Sequence, residues 1–549
     1  MAAVELGRRE VVAAFLGTAS LSCRPSKDSL RPIPGALVDV ALQERAHKLS
    51  GPILPESTQA PRRCDVAIVG AGAAGLSAAW RLVKAGVRDV CVLELDSVEG
   101  GTAQSGASKV SAYPWGAHYL PAPLEATGPV ATLLRDMGVL TGVGDDGRPT
   151  FLESALIHEP DERHFYRGRW YEGLYVRAGA SAEDLRQLQA FESAMAQFAQ
   201  AKDGKGRKAF AVPVAASSDD AEWTALDSLS MAQWLETKGF SSARLRAYVD
   251  YACRDDFGAS VQGTSAWAAL WYFCARKTGD AASEGFLSWP EGNGRLMAHL
   301  SASLPQGALL TNQVVHAVRP LPQGGFDVHA WDDAARQPMR YQARQVVLAV
   351  PAHVAARLIE PWKTSPPSFL ADFEFAPWVV ANLHMKAAPG SRGFPLAWDN
   401  VISGSKSLGY VVATHQRLRA DATGPSVWTW YCPLVEPDAR AERKRLASTS
   451  YPDWEAIVRA DLAPAHQGFE ANVERMDVMR WGHGMIRPKP GFLWGQSRAL
   501  AAQSPLAGLH LAHSDLGGLA LFEEAQHFGV RAAEACLAGL GREVVSWLR

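Results

Sequence analysis

A six-residue glycine-rich turn and a single acid carry the clearest chemistry in this 549-residue chain. Gly70-Ala71-Gly72-Ala73-Ala74-Gly75 follows directly on the apolar run Asp65–Val69 and opens a stretch of helix formers, Leu76–Lys84. In such a turn Gly70 permits the tight bend, Gly72 lets backbone N–H groups approach a pyrophosphate, and Gly75 lets helix pack closely on strand. The first amides of the helix, from Ala73 and Ala74, then favour the negative charge of a diphosphate. Glu94 ends a second apolar run, Asp89–Leu93, about 20 residues further on. A carboxylate at that place accepts hydrogen bonds from both ribose hydroxyls and repels a phosphate at the 2′ position. A glycine turn alone would carry little weight. The ordered unit of strand, turn, helix, strand and Glu predicts dinucleotide binding.

The elements that position these groups follow from pattern. Short apolar runs bounded by charge suit strands buried in a parallel sheet, and Gly86 stands where a helix ends. The chain is long enough for two joined domains with sizeable cores. A net charge of −2 and the lack of a basic stripe with interleaved aromatics argue against nucleic acid as a partner. The dense basic run Lys202–Lys208 reads as a solvated loop tip. Seven cysteines include no C-x-x-C pair, which predicts neither a zinc site nor a disulfide framework, and no metal site is expected. No nucleophile elbow or P-loop is present.

The first 23 residues read as an export signal. Arg8-Arg9 precedes an apolar stretch, Val11–Leu21, too short to span a bilayer but suited to a signal peptide. The twin arginine resembles a Tat signal, which fits a protein that must take up its cofactor while folding. The expected location is periplasmic, with membrane attachment through a lipidated Cys23 and a cytoplasmic location as alternatives. Residues 24–63 read as a linker or a strap across the surface, with an amphipathic piece around Leu37–Leu49.

Segments beyond Glu94 decide between cofactors by resemblance. Glu99-Gly100-Gly101-Thr102 and Tyr113-Pro114-Trp115-Gly116-Ala117-His118-Tyr119 resemble the flavin-side loops of the monoamine and polyamine oxidase superfamily, which includes protoporphyrinogen oxidase and the carotenoid desaturases. Thr102 stands where members usually carry Arg. The resemblance returns at Trp289–Gly294, at Val315-His316-Ala317-Val318, at Gln345–Pro351, at Leu511–Asp515 and at Phe522–Ala533. His513 and Ser514 replace the usual Gly and Glu or Asp. The resemblance implies an α/β fold: an FAD-binding dinucleotide fold of the two-domain amine-oxidase type, with an interleaved α+β substrate domain. It implies FAD held by Gly70, Gly72, Ala73, Ala74, Gly75, Glu94, Gly101, Thr102, Gly116, Ala117, Val315, Ser514 and Glu523, and since no cysteine sits in an obvious attachment motif the FAD is expected to be non-covalent. The FAD domain is expected over 64–126, 287–358 and 500–549, and the substrate domain over 127–286 and 359–499.

Within the insertions, His164–Tyr171 turns at Gly168 and reads as a hairpin, and Ser230–Lys238 as a capped helix. Tyr248–Phe257 and Ser265–Arg276 read as apolar helices. Phe375–Met385, Leu408–Thr414 and Ser426–Pro433 read as strands under the flavin. Flavin amine oxidation needs a C–H bond beside nitrogen oriented towards the cofactor, with oxygen or another acceptor taking the electrons. In the amine oxidases a lysine on the strand after the Gln345–Pro351 equivalent holds a water there. Here Asn382 falls at or beside that lysine's place, Lys386 lies a few residues on, and Leu521 replaces the tyrosine before the last helix. Asn382, Trp481 and His513 are the catalytic candidates. His118, His483 and His513 each read first as structural histidines, and Asp255-Asp256 with Arg254 as a helix-terminal ion pair. The expected substrate is a small or medium organic molecule, an amine first. The alternatives are a carbon–carbon desaturase or isomerase on a lipophilic substrate, and an electron relay in an envelope complex.

Overall fold

A computed structural model describes residues 31–159, 161–277, 285–416 and 424–548, so the export-signal reading lies outside the described residues. Strand Arg62–Val69 pairs in parallel with Val90–Leu93 on one side and Gln337–Leu348 on the other. The long strand Gln337–Leu348 divides its outer edge between two neighbours. Its first half pairs antiparallel with Phe326–Asp332, and its last three residues pair in parallel with Leu509–Leu511. Leu309–Leu310 and Gln313–Pro320 complete a seven-stranded sheet. Helices Ala73–Lys84 and Phe522–Gly539 pack together over it, so closely that a Cβ on Gly529 would lie 2.2 Å from the Ala74 carbonyl.

The second sheet has eight strands in the order Gly35–Leu37, Val473–Ile486, Phe375–Met385, Ser426–Pro433, Gly409–Val412, Asp399–Ile402, Glu162–Tyr166 and Arg169–Glu172. The last two form the expected hairpin, with Arg167 and Gly168 both at positive φ, as the tight two-residue turn requires. Helices Ala182–Gln200, Met231–Thr237, Ala243–Phe257 and Ala266–Cys274 bury an apolar core of their own, in which Trp267 and Trp271 are fully enclosed. Two of these helices start with capping boxes, Ser181 with Asp184 and Ser230 with Gln233.

Two expected boundaries move. Residue 127 is too early for the start of the substrate domain. Helix Gly128–Asp136 and the hairpin of Leu140–Val143 with Pro149–Phe151 bury Ala131, Leu133, Leu134 and Leu140 in the core beneath helix Ala73–Lys84. Residues 24–63 are also more than a linker. Gly35–Leu37 adds a parallel strand to the edge of the second sheet beside Met476–Val478, and Val40–His47 forms a helix. The buried Asp39 accepts both contacts of the Arg480 Nε, at 3.1 and 3.2 Å, and Arg45 and Lys48 pair with Asp96 and Asp333. The strap is tied to both sheets.

Candidate active site

A groove of about 510 Å³ runs from the glycine turn to the junction of the two sheets, within the usual range for a ligand pocket. The three glycines divide their tasks as their chemistry predicts. Gly70 has φ of +98°, and a Cβ there would lie 2.4 Å from the Ala349 carbonyl. A Cβ on Gly75 would lie 1.9 Å from the Gly70 carbonyl, so Gly75 allows close packing without lining the groove. At Gly72 a Cβ would meet nothing within 4 Å, because it would project into the groove itself. Gly72 caps the helix whose first residues, Ala73 and Ala74, also face the groove.

Glu94 is buried at the end of its strand and lines the groove. Its Oε2 accepts the Ala71 N–H at 2.6 Å and its Oε1 the Asp96 N–H at 2.8 Å. Those amides hold the carboxylate in place and leave lone pairs for further donors. Burial outweighs the two hydrogen bonds and pushes its pKa up to about 7.

Gly101, Thr102, Ala117, Val315, His513 and Ser514 line the groove as well. Gly116 supports it from behind, where a Cβ would lie 2.1 Å from the Thr102 carbonyl. Glu523 stands off the groove and faces Arg276 at 3.5 Å instead. The sequence reading missed the strap's contribution: Leu42, Ala46, His47 and Leu49 cover one side of the groove. Contiguous patterning marked that helix, but nothing local said what it covers.

The three catalytic candidates separate. Trp481 lines the groove and donates its Nε1 hydrogen bond to the Trp115 carbonyl at 2.7 Å. His513 lines it with Nδ1 2.8 Å from Asp515. The structure does not bring Asn382 to the groove. It is fully buried, its Nδ2 donates to the Pro114 carbonyl at 3.0 Å, and its Oδ1 accepts from Thr429 at 2.7 Å. Both ends of the amide are occupied in tying the second sheet to the segment behind Gly116. Lys386 is exposed past the strand's end, so neither residue supplies the family's lysine function.

His118 and His483 are held neutral by burial. His118 is pushed down to about 3 and stacks on Tyr431 at 4.9 Å. His483, pushed down to about 4, stacks on His353 at 4.1 Å. The ion pair expected of Arg254 with Asp255-Asp256 does not form. Arg254 reaches back to Asp250 at 3.1 Å and to the carbonyls of Ser405, Lys406 and Ser407.

The sequence model of the flavin-containing amine oxidoreductases matches residues 73–537. The chain belongs to that family. It is a flavin-dependent oxidoreductase of the amine-oxidase type. No curated protein matches the chain in sequence. Among solved structures, a putrescine oxidase bound to putrescine is similar, at 18% identity and a TM-score of 0.63, covering 87% of this chain and 100% of that one. Cyclohexylamine oxidase from Brevibacterium oxydans IH-35A aligns at 16% identity and a TM-score of 0.61, with the same coverage of both chains. A fatty acid isomerase from P. acnes, described as producing CLA, aligns at 14% identity and a TM-score of 0.55, over 85% of this chain and 97% of that one. At these identities the likeness is one of fold.

Proposed function

We propose that this amine-oxidase family member binds FAD non-covalently in the groove and oxidises an amine. The observation that carries the cofactor assignment is the pairing of an open backbone cradle at Gly72 with a buried, amide-held carboxylate at Glu94. Ala73 and Ala74 would receive the diphosphate at the helix start, and Glu94 the ribose. The helix start at Phe522 would lie towards the flavin end, where a helix N-terminus favours negative charge. All six described cysteines are buried, which supports non-covalent retention. Bound there, FAD supplies a two-electron acceptor for the hydride of a C–H bond beside nitrogen.

The chain's own part is to orient that bond and exclude water. Trp481, fixed by its bond to Trp115, forms one wall near the flavin end. Neutral His118, stacked on Tyr431, follows directly on Ala117, which lines the groove. Lys386 takes no part, since it faces solvent. Oxygen is the acceptor that the family suggests.

Mild heat or acid should release a cofactor that chromatography identifies as FAD, leaving colourless protein. A flavin that stays with the denatured chain, or one that is FMN, would overturn the assignment. We also propose export through Arg8-Arg9. Replacing both arginines with lysine should leave FAD-loaded enzyme in the cytoplasm, whereas wild-type protein found wholly there with Met1 retained would refute this.

A further inference from the structure

The strap carries two buried charges, and each is paired with a residue that lines the groove. Asp39 is 1% exposed and takes both contacts of the Arg480 Nε, at 3.1 and 3.2 Å. Arg45 pairs with Asp96, whose Oδ2 also accepts the Gln104 Nε2 at 3.1 Å. Arg480 belongs to strand Val473–Ile486 of the second sheet, and Asp96 follows strand Val90–Leu93 of the first. Both line the groove, so the strap ties its two walls together.

Arg480 has an arm to spare. It is 7% exposed, its Nε is taken up by Asp39, and its Nη1 donates to the Ala447 carbonyl at 3.1 Å. Among the described residues no hydrogen bond reaches its Nη2. A guanidinium is a planar fork that can serve two acceptors on different sides at once. A buried donor without a partner, on a side chain that lines a ligand groove, is held ready for the ligand.

The chemistry of that ligand follows from charge. Oxidised FAD is neutral except at its diphosphate, which is doubly negative. The helix start at Ala73 offers about half a positive charge, and the acids that line the same groove, Glu94, Asp96 and Asp515, have the wrong sign. Two arginines line it, Arg443 and Arg480. Arg443 rests its Nη1 on the Phe375 carbonyl at 3.1 Å and has no carboxylate within ion-pair distance among the described residues. Arg480 is the one whose direction a buried carboxylate fixes.

We propose that Arg480 is a cofactor-binding residue whose Nη2 donates to the diphosphate of the bound dinucleotide, and that Asp39 of the strap is the positioning residue that aims it. This rests on the FAD reading and deepens it. The segment ahead of the glycine turn then completes the cofactor site instead of only covering it.

The test follows loss of FAD from the holoenzyme, read as the rise of flavin fluorescence on dilution. Arg480→Lys keeps a cation for Asp39 but gives up the fork. It should resist urea nearly as well as wild type, while FAD leaves about tenfold faster, the size of one charge-assisted hydrogen bond. Asp39→Asn keeps an acceptor for Nε but loses its charge, and should speed release by less. Lys48→Met breaks the strap's ion pair with Asp333, a residue away from the groove, and should leave the release rate unchanged. Wild-type release from both Arg480→Lys and Asp39→Asn would overturn the assignment and leave the FAD reading standing. Equal acceleration by Lys48→Met would overturn it too, by making the strap a cover and nothing more. An unchanged release rate with a shifted flavin reduction potential in Arg480→Lys would put the guanidinium on the flavin ring, against the proposal. If the wild-type holoenzyme releases FMN, the FAD reading itself falls and this assignment with it.

Discussion

The cofactor groove and the acidic cluster beside it are built on opposite principles. The groove is made of backbone: a bend that needs Gly70, an opening at Gly72, a helix start, and one carboxylate fixed by two amides. The cluster is made of side chains from remote parts of the chain, Asp255-Asp256, Arg276, Asp399 and Glu523, carried on both insertions and on the last helix. Backbone sites tolerate little change in sequence and so remain recognisable. Side-chain sites can be rebuilt while the fold stays the same. The groove is therefore read from a short stretch of sequence, whereas the acids beside it come together only in the fold.

The strongest way to break this contrast is at Gly72. Valine there would put its side chain where the diphosphate must lie, so Gly72→Val should purify colourless yet folded, as judged by circular dichroism. Full flavin content would mean that the groove is not read by backbone.

The next largest effect is on pH. Glu94 sits at about 7 in the protein without cofactor, against an ordinary value of 4.5. Between those values the folded chain holds a proton that the unfolded chain has released, so apo stability should decline as pH rises through that window. Ribose hydroxyls donate to the ionised carboxylate, so FAD affinity should change the other way. It should strengthen from pH 5.5 to 8, by at most about tenfold per pH unit below 7, with proton release on binding. Calorimetry in two buffers of different ionisation heat reads that proton directly, and a pH-independent affinity would remove Glu94 from the ribose.

Asn382 holds the scaffold behind the groove rather than the chemistry in it. Leucine there leaves the Pro114 carbonyl and the Thr429 hydroxyl without their buried partner, which should cost about 2–3 kcal/mol in urea unfolding. Flavin reduction by the surviving folded enzyme should change less than stability does. The smallest expected effect is Lys386→Met, which should leave anaerobic flavin reduction within error of wild type, because the side chain faces solvent.

Much of the scaffold was legible because its signals are local. Strands Phe375–Met385 and Ser426–Pro433 have the bounds that their apolar runs predict, and the capping box at Ser230 marks its helix. The glycine turn and Glu94 lie within 25 residues of one another in sequence, so their joint meaning could be read directly. Asn382 was placed on the right strand, but its partners Pro114 and Thr429 come from elsewhere in the chain, and only tertiary structure shows them occupying its amide. The helix of the strap was visible as an amphipathic stretch, whereas the three-residue strand before it is too short to leave a pattern. Asp255 and Asp256 looked like partners of the adjacent Arg254 because sequence neighbours are the first candidates for pairing. The fold turns that guanidinium to Asp250 and the carbonyls of 405–407, and Asp256 faces Arg276 instead, at 3.8 Å.

Whether FAD in this groove takes electrons from an amine is decided by mixing the purified holoenzyme with an excess of amine in the absence of oxygen. The yellow flavin absorbance should bleach in a single turnover and return when oxygen is admitted. An absorbance that stays unchanged with every mono- and diamine tried, while dithionite bleaches it fully, would contradict the claim.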